Sequence, residues 1–238
     1  MIAHHDYQLT SDEQQKLDIL VKDYRSGVPL PYLLGYWEFY GRKFKVSPDV
    51  LIPRPETELL VEKAILHAKK FHKPLLLDIG TGSGAISVSL AAEIPSAWVI
   101  ATDISLASLR IALENAKTHN QETILFLQAD LLPHMGNKPD IICANLPYIP
   151  TELLQTLDVY HKEPGLALDG GEEGLDLIQK LLIQAQSQLA TPGIILLEIE
   201  ANQGRAATFA AKAAFQNATV HLFQDLQGRD RLIEIQQV

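Results

Sequence analysis

The chain contains one cysteine, Cys143, so no disulfide can close within it, and its composition suits a reducing compartment. Cys143 lies in an apolar run and reads as a small buried strand residue. No stretch approaches the roughly 18 apolar residues of a membrane span. The opening Met1-Ile2-Ala3-His4-His5 has neither the basic segment nor the apolar run of an export signal. A cytoplasmic protein without membrane attachment is expected. Clustered basic residues are also lacking. Twenty Lys and Arg against 29 Asp and Glu give a formal charge of -9, which argues against an extended surface that tracks phosphates and so against a nucleic-acid substrate. There is no internal repeat, low-complexity tract or long charge block. The eight histidines have no metal-ligand spacing, so no metal is expected, and His4 and His5 read as a mobile terminus.

With 238 residues, 47% of them apolar and 21% charged, the chain is long enough to bury a full core as one main domain with small additions. Thr10 and Ser11 stand three residues before Glu13 and Gln14 in overlapping capping-box patterns. Leu17, Leu20, Val21 and Tyr24 follow at helical spacing up to Gly27, which predicts one short amphipathic helix that must pack its stripe on something else. Tyr36 to Val46 alternates around Gly41 and predicts a β-hairpin. Pro53-Arg54-Pro55-Glu56-Thr57 breaks the chain and opens a helix with Val61, Ala64, Ile65 and Ala68 on one face.

From Pro74 onward strands and helices alternate. Strands are predicted at 75–79, 98–102, 124–128, 141–144, 193–198, 220–223 and 232–235, and helices begin at Ala85 and Ser105 and cover 175–185 and 205–215. Continuous apolar strands between helices imply an α/β, doubly wound, mostly parallel seven-stranded sheet covered on both faces. The hairpin spacing of the last two strands implies one antiparallel strand at that edge.

The first strand of this series runs into Gly80-Thr81-Gly82-Ser83-Gly84 and then a helix. That arrangement brings a ligand close to backbone N–H groups at a helix N-terminus. Asp103, at the end of the next strand, is placed to accept both hydroxyls of a ribose. The spacing departs from the dinucleotide pattern, and Asp78 just before the turn suits an ammonium group better than a pyrophosphate, since like charges repel. Asp130, after the third strand, would approach an adenine amino group; capping a helix or loop is its structural alternative.

The fourth strand ends in Asn145-Leu146-Pro147-Tyr148. An Asn amide, a backbone carbonyl and a Tyr ring at the ligand edge of such a sheet can hold a planar amide or amino group by its edge and face. A nitrogen of that kind is a poor nucleophile because its lone pair is delocalised, so the site must supply position and acceptors. Turn and tetrapeptide together point to methyl transfer onto nitrogen, with S-adenosylmethionine as the donor.

Asn145-Leu146-Pro147-Tyr148 resembles the Asn-Pro-Pro-Tyr signature of amino- and amide-nitrogen methyltransferases. With Pro31-Tyr32-Leu33-Leu34-Gly35, Glu38-Phe39-Tyr40, Leu51 to Glu58, Glu163-Pro164, Gly170-Gly171 and Gly228 to Arg231, the chain from about Leu9 onward resembles the release-factor glutamine methyltransferases, the HemK/PrmC family. The resemblance implies a Rossmann-like class I methyltransferase fold. It also implies methylation of the Gln side-chain amide in the Gly-Gly-Gln motif of peptide-chain release factors. The donor residues it implies are Gly80, Thr81, Gly82, Ser83, Gly84, Asp103 and Leu131; the acceptor residues are Asn145, Leu146, Pro147 and Tyr148, with Asn145 also expected to border the donor.

Three departures accompany the resemblance. Leu146 replaces a proline, which keeps the carbonyl and adds freedom to the loop. Leu131 stands where some members have a Trp near the adenine. Residues 1–35 read as the remnant of a larger N-terminal helical substrate-binding domain, with 36–56 as a hairpin linker and 57–238 as the methyltransferase domain of a monomer. Glu163 is a candidate proton acceptor, with a loop contact as its alternative. Rival readings are a ribosomal-protein glutamine methyltransferase, an adenine-N6 methyltransferase acting on a flipped base, and a non-catalytic donor-binding scaffold.

Overall fold

The computed structural model describes residues 7–237; His4 and His5 lie outside them. A seven-stranded sheet is built from β3 (Leu75–Ile79), β4 (Trp98–Asp103), β5 (Leu125–Gln128), β6 (Ile141–Ala144), β7 (Gly193–Glu198), β8 (Thr219–Gln224) and β9 (Asp230–Gln237), in the order β5-β4-β3-β6-β7-β9-β8. Pairing is parallel from β5 through β7. The antiparallel strand lies at the expected end of the sheet as β9, one place inside β8. The strand order turns back between β3 and β4 on one side and β6 on the other, the position at which open α/β sheets leave a crevice beyond the strand ends.

Because side chains alternate along a strand, each apolar run supplies two cores. Leu76, Ile141, Cys143 and Leu196 face one side, where they pack with α3 (Glu58–Ala68), α4 (Ala85–Glu93) and α5 (Leu106–Thr118). Leu77, Ile142, Ile195 and Ile233 face the other, against α7 (Asp176–Gln188) and α8 (Gly204–Ala214), with the short α6 (Thr151–Leu154) preceding α7 in the chain. The strand residues of β6 and β7 are buried throughout, as near-continuous apolar runs require of a sheet covered on both faces. Cys143 is fully buried in the first core.

The predicted hairpin forms from β1 (Tyr36–Phe39) and β2 (Arg42–Lys45). Its two-residue turn, Tyr40-Gly41, has both residues at positive φ, 48° and 69°, the twist that matches the flanking strands. Phe39 and Phe44 are buried, with rings 6.1 Å apart, in the same core cluster as Leu76. Asn115 of α5 also grips the hairpin: its Oδ1 accepts from the Lys45 N–H at 2.7 Å and its Nδ2 donates to the Lys45 carbonyl at 3.0 Å.

The first predicted helix is α1 (Ser11–Arg25), started by the Thr10/Glu13 capping box. None of its residues is buried; Leu17, Leu20, Val21 and Tyr24 remain largely exposed, so the predicted stripe has no packing partner among the described residues. A short α2 (Leu30–Leu34) leads on to the hairpin and ends at Gly35 in the left-handed conformation. No described helix is long and apolar enough to cross a membrane, and no described cluster of His, Cys, Asp and Glu could hold a metal ion.

Candidate active site

The turn after β3 is shaped by three left-handed glycines, Gly80, Gly82 and Gly84. At Gly84 a Cβ would stand 3.1 Å from that of Ala112, so a side chain there would push the turn off α5. Asp78 lies beneath the turn and does not reach the cavity wall where the donor ammonium was expected. One of its oxygens accepts from the Thr81 hydroxyl at 2.6 Å and the Ser87 N–H at 3.0 Å. The other, Oδ1, has no partner among the described residues. Burial raises the Asp78 pKa to about 6 despite those bonds. Asp78 therefore braces the turn from behind. Asn115 adds a second brace that periodicity could not reveal, donating to the Ser83 carbonyl at 2.8 Å.

A cavity of about 370 Å³ opens in front of the turn. Gly80, Thr81, Gly82 and Ser83 line it, as do Asp103, Asp130 and Leu131, whereas Gly84, expected with them at the donor, lies outside the lining and packs on Ala112 instead. The Asp103 carboxylate is anchored by the N–H groups of Gly82 (2.9 Å) and Ser105 (2.8 Å), one on each oxygen. Each oxygen keeps a further lone pair, which can accept from a vicinal diol. Burial raises the Asp103 pKa, while the bonds from Ser105 and Gly82 oppose the rise. Asp130 caps no helix; it pairs with Lys180 at 2.5 Å on the surface and reaches the cavity edge. Leu131 is held at φ 65°, an uncommon conformation for a leucine. Its carbonyl accepts from the Thr102 hydroxyl at 3.1 Å, and its side chain gives the cavity an aliphatic rather than an aromatic wall.

Asn145, Leu146 and Pro147 line the same cavity, whereas Tyr148, whose ring was expected to face the substrate amide, is not part of its lining, because Gln203 and Gly170 hold its backbone away from the cavity. The Leu146 side chain is buried, and a Cβ at Gly80 would come within 3.1 Å of its Cδ2. The added freedom expected at this position is thus offset by packing: Leu146 wedges the acceptor loop against the donor turn. The Asn145 Nδ2 donates to the Thr57 hydroxyl at 3.0 Å, and its Oδ1 and the Leu146 carbonyl receive no hydrogen bond from other described residues. Burial and the nearby Glu198 raise the Tyr148 pKa, so the phenol stays neutral.

The backbone after the tetrapeptide is fixed from a distance. Gln203 Nε2 donates to the Tyr148 carbonyl at 2.8 Å and to the Gly174 carbonyl at 3.0 Å. Gly170 lies so close that a Cβ would be 2.7 Å from the Tyr148 Cα, which explains a glycine there. Glu163 is engaged on both oxygens, by the Arg54 guanidinium and by the Ile52 N–H at 3.1 Å. It serves as the loop contact, clamping the segment before α3 to Pro164 at the cavity wall, and has no geometry for taking a substrate proton. Tyr32 steadies the neighbouring segment by donating to the Val50 carbonyl at 2.7 Å. Gln203 and Asn115 carry no sequence signal as site residues because their partners lie tens of residues away, and Thr57 lies in a segment that resembles the family without showing which side chain it meets.

Residues 55–162 match the family model described as methyltransferase small domain. A release factor glutamine methyltransferase of Moorella thermoacetica is 44% identical over 209 residues, spanning 87% of this chain and 74% of the relative. One from Bacillus anthracis is 36% identical over 234 residues, spanning 95% and 82%. A solved structure described as a release factor-specific protein-(glutamine-N5) methyltransferase from Alicyclobacillus acidocaldarius gives a TM-score of 0.52 at 28% identity, covering 82% of this chain and 99% of that one.

Proposed function

The chain belongs to the release factor glutamine methyltransferases, and we propose that it methylates the Gln side-chain amide in the Gly-Gly-Gln motif of peptide-chain release factors in the cytoplasm, using S-adenosylmethionine. The observation that carries this reading is that one cavity is lined by both the glycine turn with Asp103 and the Asn145 loop. The residues present fit this donor. Asp103 keeps lone pairs for a ribose diol, and Leu131 offers an apolar wall to a base. The Asp78 oxygen without a partner among the described residues adds negative charge behind the turn, where an ammonium group is favoured. When bound, S-adenosylmethionine supplies an electrophilic methyl group on sulfur.

The remaining work falls to the protein. The substrate amide donates one N–H to Asn145 Oδ1 and the other to the Leu146 carbonyl, with Tyr148 behind the loop that presents them. These two bonds turn the face of the nitrogen toward the donor, and they strengthen as positive charge builds on it. The site thus stabilises the transition state more than the ground state. No general base is required, because a methylated amide carrying an extra proton loses it readily to water.

Purified chain should transfer labelled methyl to a release factor and not to its Gln→Ala variant or to DNA. Labelling of DNA instead would favour the adenine-N6 reading, and donor binding without any transfer would favour the scaffold.

A further inference from the structure

Leu197 of β7 is in register with Ala144 of β6, so the next residues, Glu198 at the end of β7 and Asn145 just past β6, stand side by side. Glu198 is 2% exposed, lines no part of the cavity, and its Oε2 has no hydrogen-bond partner among the described residues. A buried carboxyl left in that state is costly, which calls for a role. Its neighbours suggest one. The Thr57 hydroxyl, 4% exposed, accepts from Asn145 Nδ2, so its own proton is free to point elsewhere. Thr57 and Asn145 are also the neighbouring polar side chains that favour the charged form of Glu198.

We infer that Glu198 is a positioning residue which, through the Thr57 hydroxyl, fixes the Asn145 amide with its oxygen toward the substrate amide. This rests on the glutamine-methyltransferase reading above. A carboxylate only accepts hydrogen bonds. Facing one, Thr57 must donate to Glu198 and can then only accept from Asn145, which holds Nδ2 inward and Oδ1 toward the cavity. A protonated Glu198 has a proton of its own to give. Thr57 can then accept from Glu198 and donate to Asn145 Oδ1, which turns the Asn145 NH2 group toward a substrate NH2 group. Two donors then face each other, and the substrate is no longer oriented.

The groups around Glu198 set where this exchange occurs. Burial raises its pKa to about 7; Thr57, Arg231 of β9 and Asn145 act against the rise, while Glu56 adds to it. Tyr148, whose phenol stays neutral, contributes no charge. Above that pH the amide is fixed, and below it the amide is released. Turnover therefore rises with pH through this region.

The test uses the full chain with release factor as substrate, measuring kcat and KM from about pH 5.5 to about pH 8.5. The parent should lose kcat on the acid side with little change in KM for the release factor. Glu198→Gln should lower kcat at the upper end on the order of tenfold and abolish the acid limb, since an amide can either donate or accept. Thr57→Val should do the same and Thr57→Ser should restore the parent profile. Parent-like kcat with an unchanged acid limb in Glu198→Gln overturns the inference. Should the parent fail to methylate release factor at any pH, the functional reading is the one that fails. The positioning role is then decided by the Asn145 side-chain NH2 signals in 1H–15N spectra, assigned with Asn145→Ala. They should shift with pH near the Glu198 midpoint in the parent and stay fixed in Glu198→Gln. Signals that do not move with pH in the parent overturn the inference independently of activity.

Discussion

The glycine turn and the Asn145 loop share one cavity, yet they are held differently. The Asp78 and Asp103 bonds that shape the turn span 3, 9 and 21 residues of sequence. Those that hold the loop, from Gln203 and to Thr57, span 55 and 88. The donor side is thus set by a strand–turn–helix unit together with the strand and helix that follow it in the chain, β4 and α5, whereas the acceptor side is assembled only when β7, α8 and the segment before α3 have docked. A change in a distant element should therefore reach turnover before it reaches donor affinity.

The largest expected effect is on the acceptor side. Asn145→Ala removes one of the two acceptors that orient the substrate nitrogen, and turnover should fall on the order of 100-fold or more in a steady-state assay. Parent-like turnover would mean that the loop positions substrate by other means. On the donor side, Asp103→Ala removes a charged acceptor for the ribose diol and should weaken donor binding by roughly tenfold or more in calorimetry. Since Asp103 also accepts from Gly82 N–H, the melting temperature of the variant should be followed alongside. Unchanged affinity in a folded variant would remove Asp103 from the donor site. The smallest effect belongs where the two sides touch. Leu146→Pro keeps the carbonyl but deletes buried atoms packed against Gly80, so stability should fall by about 1–2 kcal/mol in denaturant unfolding while turnover changes only a few-fold. A collapse of turnover with stability intact would assign Leu146 a role beyond its carbonyl and its packing.

The same contrast explains what could be read from the sequence. The strands were legible because apolar runs buried on both faces have few other uses, and the turn was legible because its glycines, Asp78 and Asp103 lie within two adjacent strands. Asp78 stands out in the sequence but its side of the turn does not: proximity to the turn does not say whether a carboxylate lies on the cavity side or beneath it, where Thr81 and Ser87 hold it. The tetrapeptide was legible as a motif. Its supports were not, because Gln203 and Glu198 have ordinary surroundings in sequence, and they and Thr57 gain their meaning from strand register and loop docking. The exposed stripe of α1 shows the opposite limit, since a pattern can require a packing surface without saying which one.

The central claim is that Asn145 acts on the substrate nitrogen, while the turn and Asp103 hold the donor. Titrating S-adenosylmethionine into Asn145→Ala by calorimetry tests it most directly. The account predicts an affinity within about twofold of the parent in a chain whose turnover is lost, because the side chain contributes to transition-state rather than donor binding. A loss of donor affinity as large as that of Asp103→Ala would contradict it and make Asn145 part of the donor site.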